Sequence, residues 1–230
     1  MIVFNGVDLQ DIAPVRIEDI RVSPISAQPV TRQKLGLGTD FVRMTGGTRT
    51  ITITFALLEE DRDARHKLLE AIKEWARPYE DGPLILPMSE DRHFDCRCTT
   101  YPSPSYRQWW ETLQLVFTTF ENPYATSNEE IRANAGTQLT IGGTAAPLIR
   151  IERKLTSKVA NQTYACNGRS MLFTQIPAGQ LVIDLNKQTA EVSGTTIMQY
   201  FSKTSKFIEP VIGNMTITGT GTVIYRERWY

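Results

Sequence analysis

The chain is poor in the groups that carry most protein chemistry. Two histidines and three cysteines in 230 residues leave few combinations of nucleophile with base, or of metal ligands. An odd cysteine number argues against a disulfide framework. Cys96 and Cys98 stand two apart in an expected extended segment, on one face and about 6–7 Å apart. That span is at or beyond the usual Cα separation of a disulfide, so buried thiols are expected. His93-x-x-Cys96-x-Cys98 has the look of half a metal site, with His93 expected in a loop. No second cluster matches it, because Cys166 stands alone and His66 falls in a helix; no metal and no cofactor are expected. No G-x-S-x-G element seats a serine nucleophile. Gly36-x-Gly38 is a fragment of a phosphate loop without its third glycine or its helix. Acidic and basic residues balance at 25 each, so nothing in the charge points to nucleic acid or a membrane surface. No apolar run approaches the eighteen or so residues of a membrane span, and MIVFNGVDL lacks the basic start of a secretory signal. A non-enzymatic product made in a cytoplasm is expected.

What the chain does have is short β-prone runs punctuated by turns. Ile2-Val3-Phe4 precedes an Asn5-Gly6 turn, and Val15, Ile17 and Ile20-Val22 continue as extended segments. Thr31–Gly47 holds four glycines and several charges and reads as a long mobile loop or hairpin arm. Thr50–Leu58 (TITITFALL) is the clearest strand, β-branched and alternating. It leads into one helix, expected over 59–77. Glu59, Glu60, Asp61 and Asp63 suit its amino-terminal dipole, Ala64, Leu68, Ile72 and Trp75-Ala76 form an apolar stripe, and Pro78 stops it. Strands are expected at Leu84–Leu86, Arg92–Thr99 and Trp110–Phe120. Tyr106, Trp109 and Trp110 either form an aromatic sugar-binding platform or lie in a sheet or subunit contact.

After Asn122-Pro123-Tyr124 the chain turns polar, and 127–136 is the expected linker. Beyond it, strands recur at Gln138–Ile141, Leu148–Arg153, Gln162–Cys166 and Ser170–Phe173, with Asn167-Gly168 a strong hairpin signal. Leu181, Ile183 and Leu185 alternate before the Asn186-Lys187 break. Further short runs follow at Val192 with the Gly194 turn, Met198–Phe201, Met215–Ile217 and Val223–Tyr225. The pattern predicts a mainly β protein of two β-sandwich domains, 1–126 with the single helix and 137–230.

The last fifty residues also resemble a family. An AGQ-strand-ID element at Ala178–Asp184, Tyr200-Phe201, GN-x-T-I-T-G at Gly213–Gly219 and V-x-Y-R-x-R-W at Val223–Trp229 look like the C-terminus of siphophage distal tail proteins. The strand-into-helix segment at 50–77 and the Asn-Pro-Tyr close of the first half are similar to that family too. The resemblance implies an N-terminal domain that closes into a hexameric ring and a C-terminal galectin-like domain. Such a ring joins the tail tube protein to the tail-associated lysin or tip protein, in the virion, and in many members carries receptor-binding proteins. The expected self-contact is the arm, at Arg32, Lys34, Leu35, Leu37, Asp40, Phe41 and Arg43. The chain has no room for an inserted sugar-binding module, which makes it a minimal adaptor. The alternative reading from another class is a carbohydrate-binding module for cell-wall glycan. It would use Tyr106, Trp109 and Trp110 or a galectin-like face in 138–220.

Overall fold

A computed structural model describes residues 1–26, 47–77, 79–102 and 112–230, and the backbone of 29–34 and 38–44. The chain is mainly β and divides into two compact units, Met1–Ala125 and Thr126–Tyr230.

The first unit begins with β1 (Val3–Phe4), β2 (Val7–Asp8), a short helix α1 (Leu9–Ile12) and β3 (Val15–Val22). Next come β4 (Pro29–Lys34), β5 (Gly38–Met44) and β6 (Arg49–Leu57). Helix α2 (Arg62–Ala76), β7 (Gly82–Leu86), β8 (Ser89–Thr100) and β9 (Leu113–Thr119) complete it. The Asn5-Gly6 turn joins β1 to β2 with positive φ at both residues, 49° and 82°. Two antiparallel sheets form, β2-β1-β7-β8 and β8-β9-β6-β3. The long β8 belongs to both. It pairs with β7 as far as Cys96 and with β9 from Arg97 onward, a strand that changes sheet at a corner.

Alternation along β6 explains the core. Ile51, Ile53 and Phe55 are buried with Leu113, Leu115 and Phe117 of β9, while Thr50, Thr52 and Thr54 face outward. Helix α2 adds Leu69, Ile72, Trp75 and Ala76. The Trp75 ring packs on Phe4 of one sheet and Phe117 of the other at centroid distances of 5.9 and 6.2 Å, and those two rings touch each other at 5.1 Å. Its indole N–H donates to the Val7 carbonyl at 2.9 Å.

The helix is shorter than the expected 59–77. Asp61 accepts from the Ala64 N–H at 2.7 Å and so acts as the N-cap, which leaves Glu59 and Glu60 outside. Arg77 ends it in the left-handed region at φ 40°. The buried stripe holds Ile72, Trp75 and Ala76 as expected and adds Leu69, with Ala64 and Leu68 half-buried. His93 lies in β8 and is buried, rather than in a loop.

At the boundary stands β10 (Ala125–Ser127). The second unit then carries β11 (Ile131–Asn134), β12 (Gln138–Ile141), β13 (Ala145–Leu155), β14 (Val159–Cys166) and β15 (Arg169–Ile176). They are followed by β16 (Gly179–Asp184), β17 (Thr189–Val192), β18 (Thr195–Thr196), β19 (Gly213–Thr216) and β20 (Thr222–Trp229). One layer has the order β18-β17-β16-β13-β20-β11. The other joins β12–β19 to the β14–β15 hairpin through reciprocal hydrogen bonds between Ala165 and Thr218. Asn167 and Gly168 turn that hairpin with positive φ at both residues, 48° and 73°.

The core between these layers takes Ile149, Ile151, Leu181, Ile183, Val223 and Tyr225 from the first layer. Tyr164, Met171, Phe173, Met215 and Ile217 face them from the second. The Asn186-Lys187 break is a built turn. Asp184 accepts from both backbone N–H groups at 2.9 Å, while the Asn186 amide bonds Ile149 and Pro147.

Two expectations change here. Within the expected linker 127–136, Ile131–Asn134 is a strand paired to β20, because Ile131 and Ala133 have apolar surface to pack on the core. Met198–Tyr200 is one turn of 3₁₀ helix rather than a strand, closed by i→i+3 bonds from Tyr200 and Phe201.

Candidate functional site

The histidines and cysteines do not converge on a site. Among the described residues no group of three or more His, Cys, Asp or Glu is placed to hold a metal ion. His93 Nε2 lies 3.6 Å from Asp95 Oδ1 within one strand, and His66 is exposed on α2. Cys96 and Cys98 are free and buried on one face of β8. Burial pushes the Cys98 thiol up to about 11, and burial also raises Cys96, so neither is a thiolate at neutral pH. No helix among the described residues is long and apolar enough to cross a membrane.

Three surface features lie elsewhere. The first is the arm expected at 31–47. Strands β4 and β5 pair antiparallel with each other, Arg32 opposite Asp40 and Thr31 opposite Phe41. Among the described residues they pair with nothing else. Ser26 and Thr48, which lie between these strands and β3 and β6 in the chain, bridge through mutual hydrogen bonds of 2.8 and 3.1 Å. An isolated two-stranded ribbon is at best marginally stable in water. Arg32 and Lys34 lie on β4, and Asp40, Phe41 and Arg43 on β5. Leu35 and Leu37 lie outside the described residues, as do Tyr106, Trp109 and Trp110 of the alternative reading.

The second surface is the outer edge of β3, which sequence reasoning did not single out. It pairs with β6 on one side and, among the described residues, with no strand on the other. Two hollows flank it. One, of about 400 Å³, is lined by Met1, Leu9, Val15, Ile17, Leu58 and Pro87. The other, of about 530 Å³, is lined by Arg21, Val22, Ser23, Thr50 and Thr52. Met1 and Leu58 are 49% and 59% exposed, so apolar surface remains uncovered there.

The third is an ionic cluster on the outer face of the second unit. Arg132 of β11, Arg150 of β13 and Arg226 of β20 converge on Glu130. Arg132 donates to Oε1 from Nη2 at 2.7 Å and from Nε at 3.1 Å. Arg150 donates to Oε2 at 2.9 Å, and Arg226 stands 3.8 Å away. Arg150 Nε also lies 2.8 Å from Glu152, at an angle too poor for a hydrogen bond. The Arg132 hydrogen bond, then the three positive charges, hold the Glu130 carboxyl below its usual range. Ile224 sits in register with both Arg132 and Arg150 and is buried between them. This cluster pins β11 to the sheet and leaves Arg150 Nε without a hydrogen-bond partner among the described residues, a structural arrangement more than a binding one. Its signal in the sequence was one arginine from each of three strands, Arg132, Arg150 and Arg226, visible only once register was known.

No protein-family model and no curated protein sequence matches the chain. Among solved structures, the crystal structure of the SPP1 Dit protein aligns over 100% of this chain and 98% of that one. The TM-score is 0.72 at 15% identity. That structure is described as a paradigm of the hub adsorption apparatus in phages infecting Gram-positive bacteria. Two structures of the phage P2 baseplate in its activated conformation, with Ca and with Sr, align over 95% and 93% of this chain and 91% and 90% of theirs. Their TM-scores are 0.44 and 0.45 at 9% and 10% identity, too low to carry an argument. The first alignment establishes a shared fold along the whole chain.

Proposed function

We propose that this protein is a structural subunit of a phage tail tip, a distal tail hub protein acting through its contacts and without catalysis. The observation that carries the reading is the SPP1 Dit likeness, which spans both units from end to end rather than one of them. Fold alone does not dictate function. The reading therefore also leans on the resemblance at Gly213–Gly219 and Val223–Trp229, and on a ribbon that finds no third strand in its own chain among the described residues.

In this reading the first unit assembles with copies of itself into a hexameric ring that continues the tail tube. The second unit, galectin-like, faces outward. The tip protein and any receptor-binding proteins dock on that ring, in the virion. A cyclic ring is a heterologous assembly, which needs two different complementary surfaces on each subunit.

The test is the solution mass of the purified chain by light scattering, followed by negative-stain imaging of the assembled peak. A six-subunit ring with an open centre is the expected result. A strict monomer at high concentration that binds cell-wall glycan would replace the hub reading with the carbohydrate-binding one.

A further inference from the structure

The two unpaired β surfaces of the first unit have complementary needs. We infer that the β4–β5 ribbon of one copy adds to the outer edge of β3 in the next copy, at Asp19–Ser23. This rests on the hub reading and names the surface that receives the arm.

The available edge follows from the ladder. Ser23 N–H donates to the Thr50 carbonyl at 2.8 Å, which makes Ser23–Thr50 a hydrogen-bonded pair. Pairs alternate in an antiparallel ladder, so Arg21–Thr52 and Asp19–Thr54 are bonded as well. Ile20 and Val22, opposite Ile53 and Ile51, therefore turn their N–H and C=O groups away from β6. At the other end Leu58 N–H donates to Pro14, and the same alternation turns Val15 and Ile17 outward. A bulge between Ile17 and Asp19 separates the two stretches.

Charge and a bulge are the usual guards of a free edge against unselective pairing. Here the charges cancel within the strand. Arg16 pairs with Glu18 at 3.2 Å and Arg21 with Asp19, so no net charge repels an incoming strand. The bulge limits docking to one straight stretch, Asp19–Ser23, beside the hollow lined by Arg21, Val22, Ser23, Thr50 and Thr52.

Length selects the occupant. The other end of this unit's sheets is β2, two residues long, too short to complement an edge. The ribbon strands are six and seven residues long, about 20 Å, and match β3. Past the Ser26–Thr48 bridge the ribbon pairs, among the described residues, with no other strand of its own chain. Its partner edge is therefore on another copy. An edge on one subunit and a ribbon on the next is a heterologous contact, the kind that closes a ring.

The experiment uses two full-length variants. Val22→Pro removes an outward N–H and leaves the β6 ladder intact, and a chain lacking residues 33–46 keeps the edge but loses the ribbon. Circular dichroism and a melt check that both stay folded. Val22→Pro alone is expected to self-associate at least about tenfold more weakly than wild type, the effect of losing one hydrogen bond with an added ring clash, and the chain without the ribbon is expected to weaken further. Mixed together they are expected to give a 1:1 complex and nothing larger, because one intact ribbon then meets one intact edge. Folded Val22→Pro that assembles like wild type overturns the inference while leaving the ring reading standing. A ribbon-less chain that dimerises by itself overturns it in favour of edge-to-edge pairing. A wild-type chain that stays monomeric at high concentration overturns this inference, and one that also binds cell-wall glycan overturns the ring reading with it.

Discussion

Replacing Glu130 by Gln tests whether the arginine cluster holds the first strand of the second unit in place. The substitution keeps shape and removes the charge shared by Arg132, Arg150 and Arg226. Two of these contacts, at 2.7 and 2.9 Å, are charge-assisted hydrogen bonds. Such bonds contribute about 1.5–3 kcal/mol when sheltered, and exposed ion pairs about 0.2–1 kcal/mol. The Glu130 side chain is 19% exposed while its three arginines are 60%, 43% and 36% exposed, which places the cluster between these limits. A loss of about 1–2 kcal/mol at pH 7 follows. For a unit of roughly a hundred residues this lowers the melting temperature by about 5–10 °C. The pH dependence has a definite sign. The folded carboxyl is held below its usual value, so its contribution is complete above the unfolded pKa of about 4.3 and is lost as pH falls through the folded value. Calorimetry of wild type and variant should therefore show a gap that narrows as pH drops from about 5 to about 3. A gap under about 1 °C at pH 7, or one that does not shrink on acidification, would refute the reasoning.

Trp75→Ala removes the ring packed on Phe4 and Phe117 and the bond to Val7, and should destabilise the first unit by about 3–5 kcal/mol in a denaturant melt. Gly219→Ala would drive a Cβ to 2.5 Å from the Tyr164 ring at a φ of +136°. A loss of about 2 kcal/mol or more is expected in the second unit, whereas Gly168→Ala, with open space around it, should cost less. The native chain should react with a thiol reagent only as fast as it opens, since Cys96, Cys98 and Cys166 are buried and burial raises each thiol. Denaturant should release all three thiols at once.

Much of the local structure was legible in the residue string because its cause is local. Thr50–Leu57 alternates between β-branched threonines and large apolar residues, and that period of two survives in any fold that buries one face. Asn5-Gly6 and Asn167-Gly168 announce turns because Asn and Gly tolerate positive φ. Errors arose where a tertiary contact overrode local preference. The helix start is a different case and a local one: it lies at Arg62, not 59, because Asp61 caps it by accepting from the Ala64 N–H three residues on. Ile131–Asn134 looked like linker, since four residues with two apolar side chains carry almost no periodic signal. They form a strand because β20 offers an edge and Glu130 a tether. Met198–Tyr200 has β-prone composition yet coils, as Phe201 must turn to bridge Phe173.

The sequence by itself determined that this is a mainly β chain with one substantial helix, few catalytic groups and an arm between β3 and β6. Composition, period and turn chemistry act over a few residues and need no partner to be read. Only the tertiary structure decided which strands neighbour which, that β8 serves two sheets, and that Arg132, Arg150 and Arg226 share one carboxylate. It also decided which of β3's backbone groups remain free. Register sets all of these, and register is a property of pairs of segments distant in the chain, which no single stretch of sequence encodes.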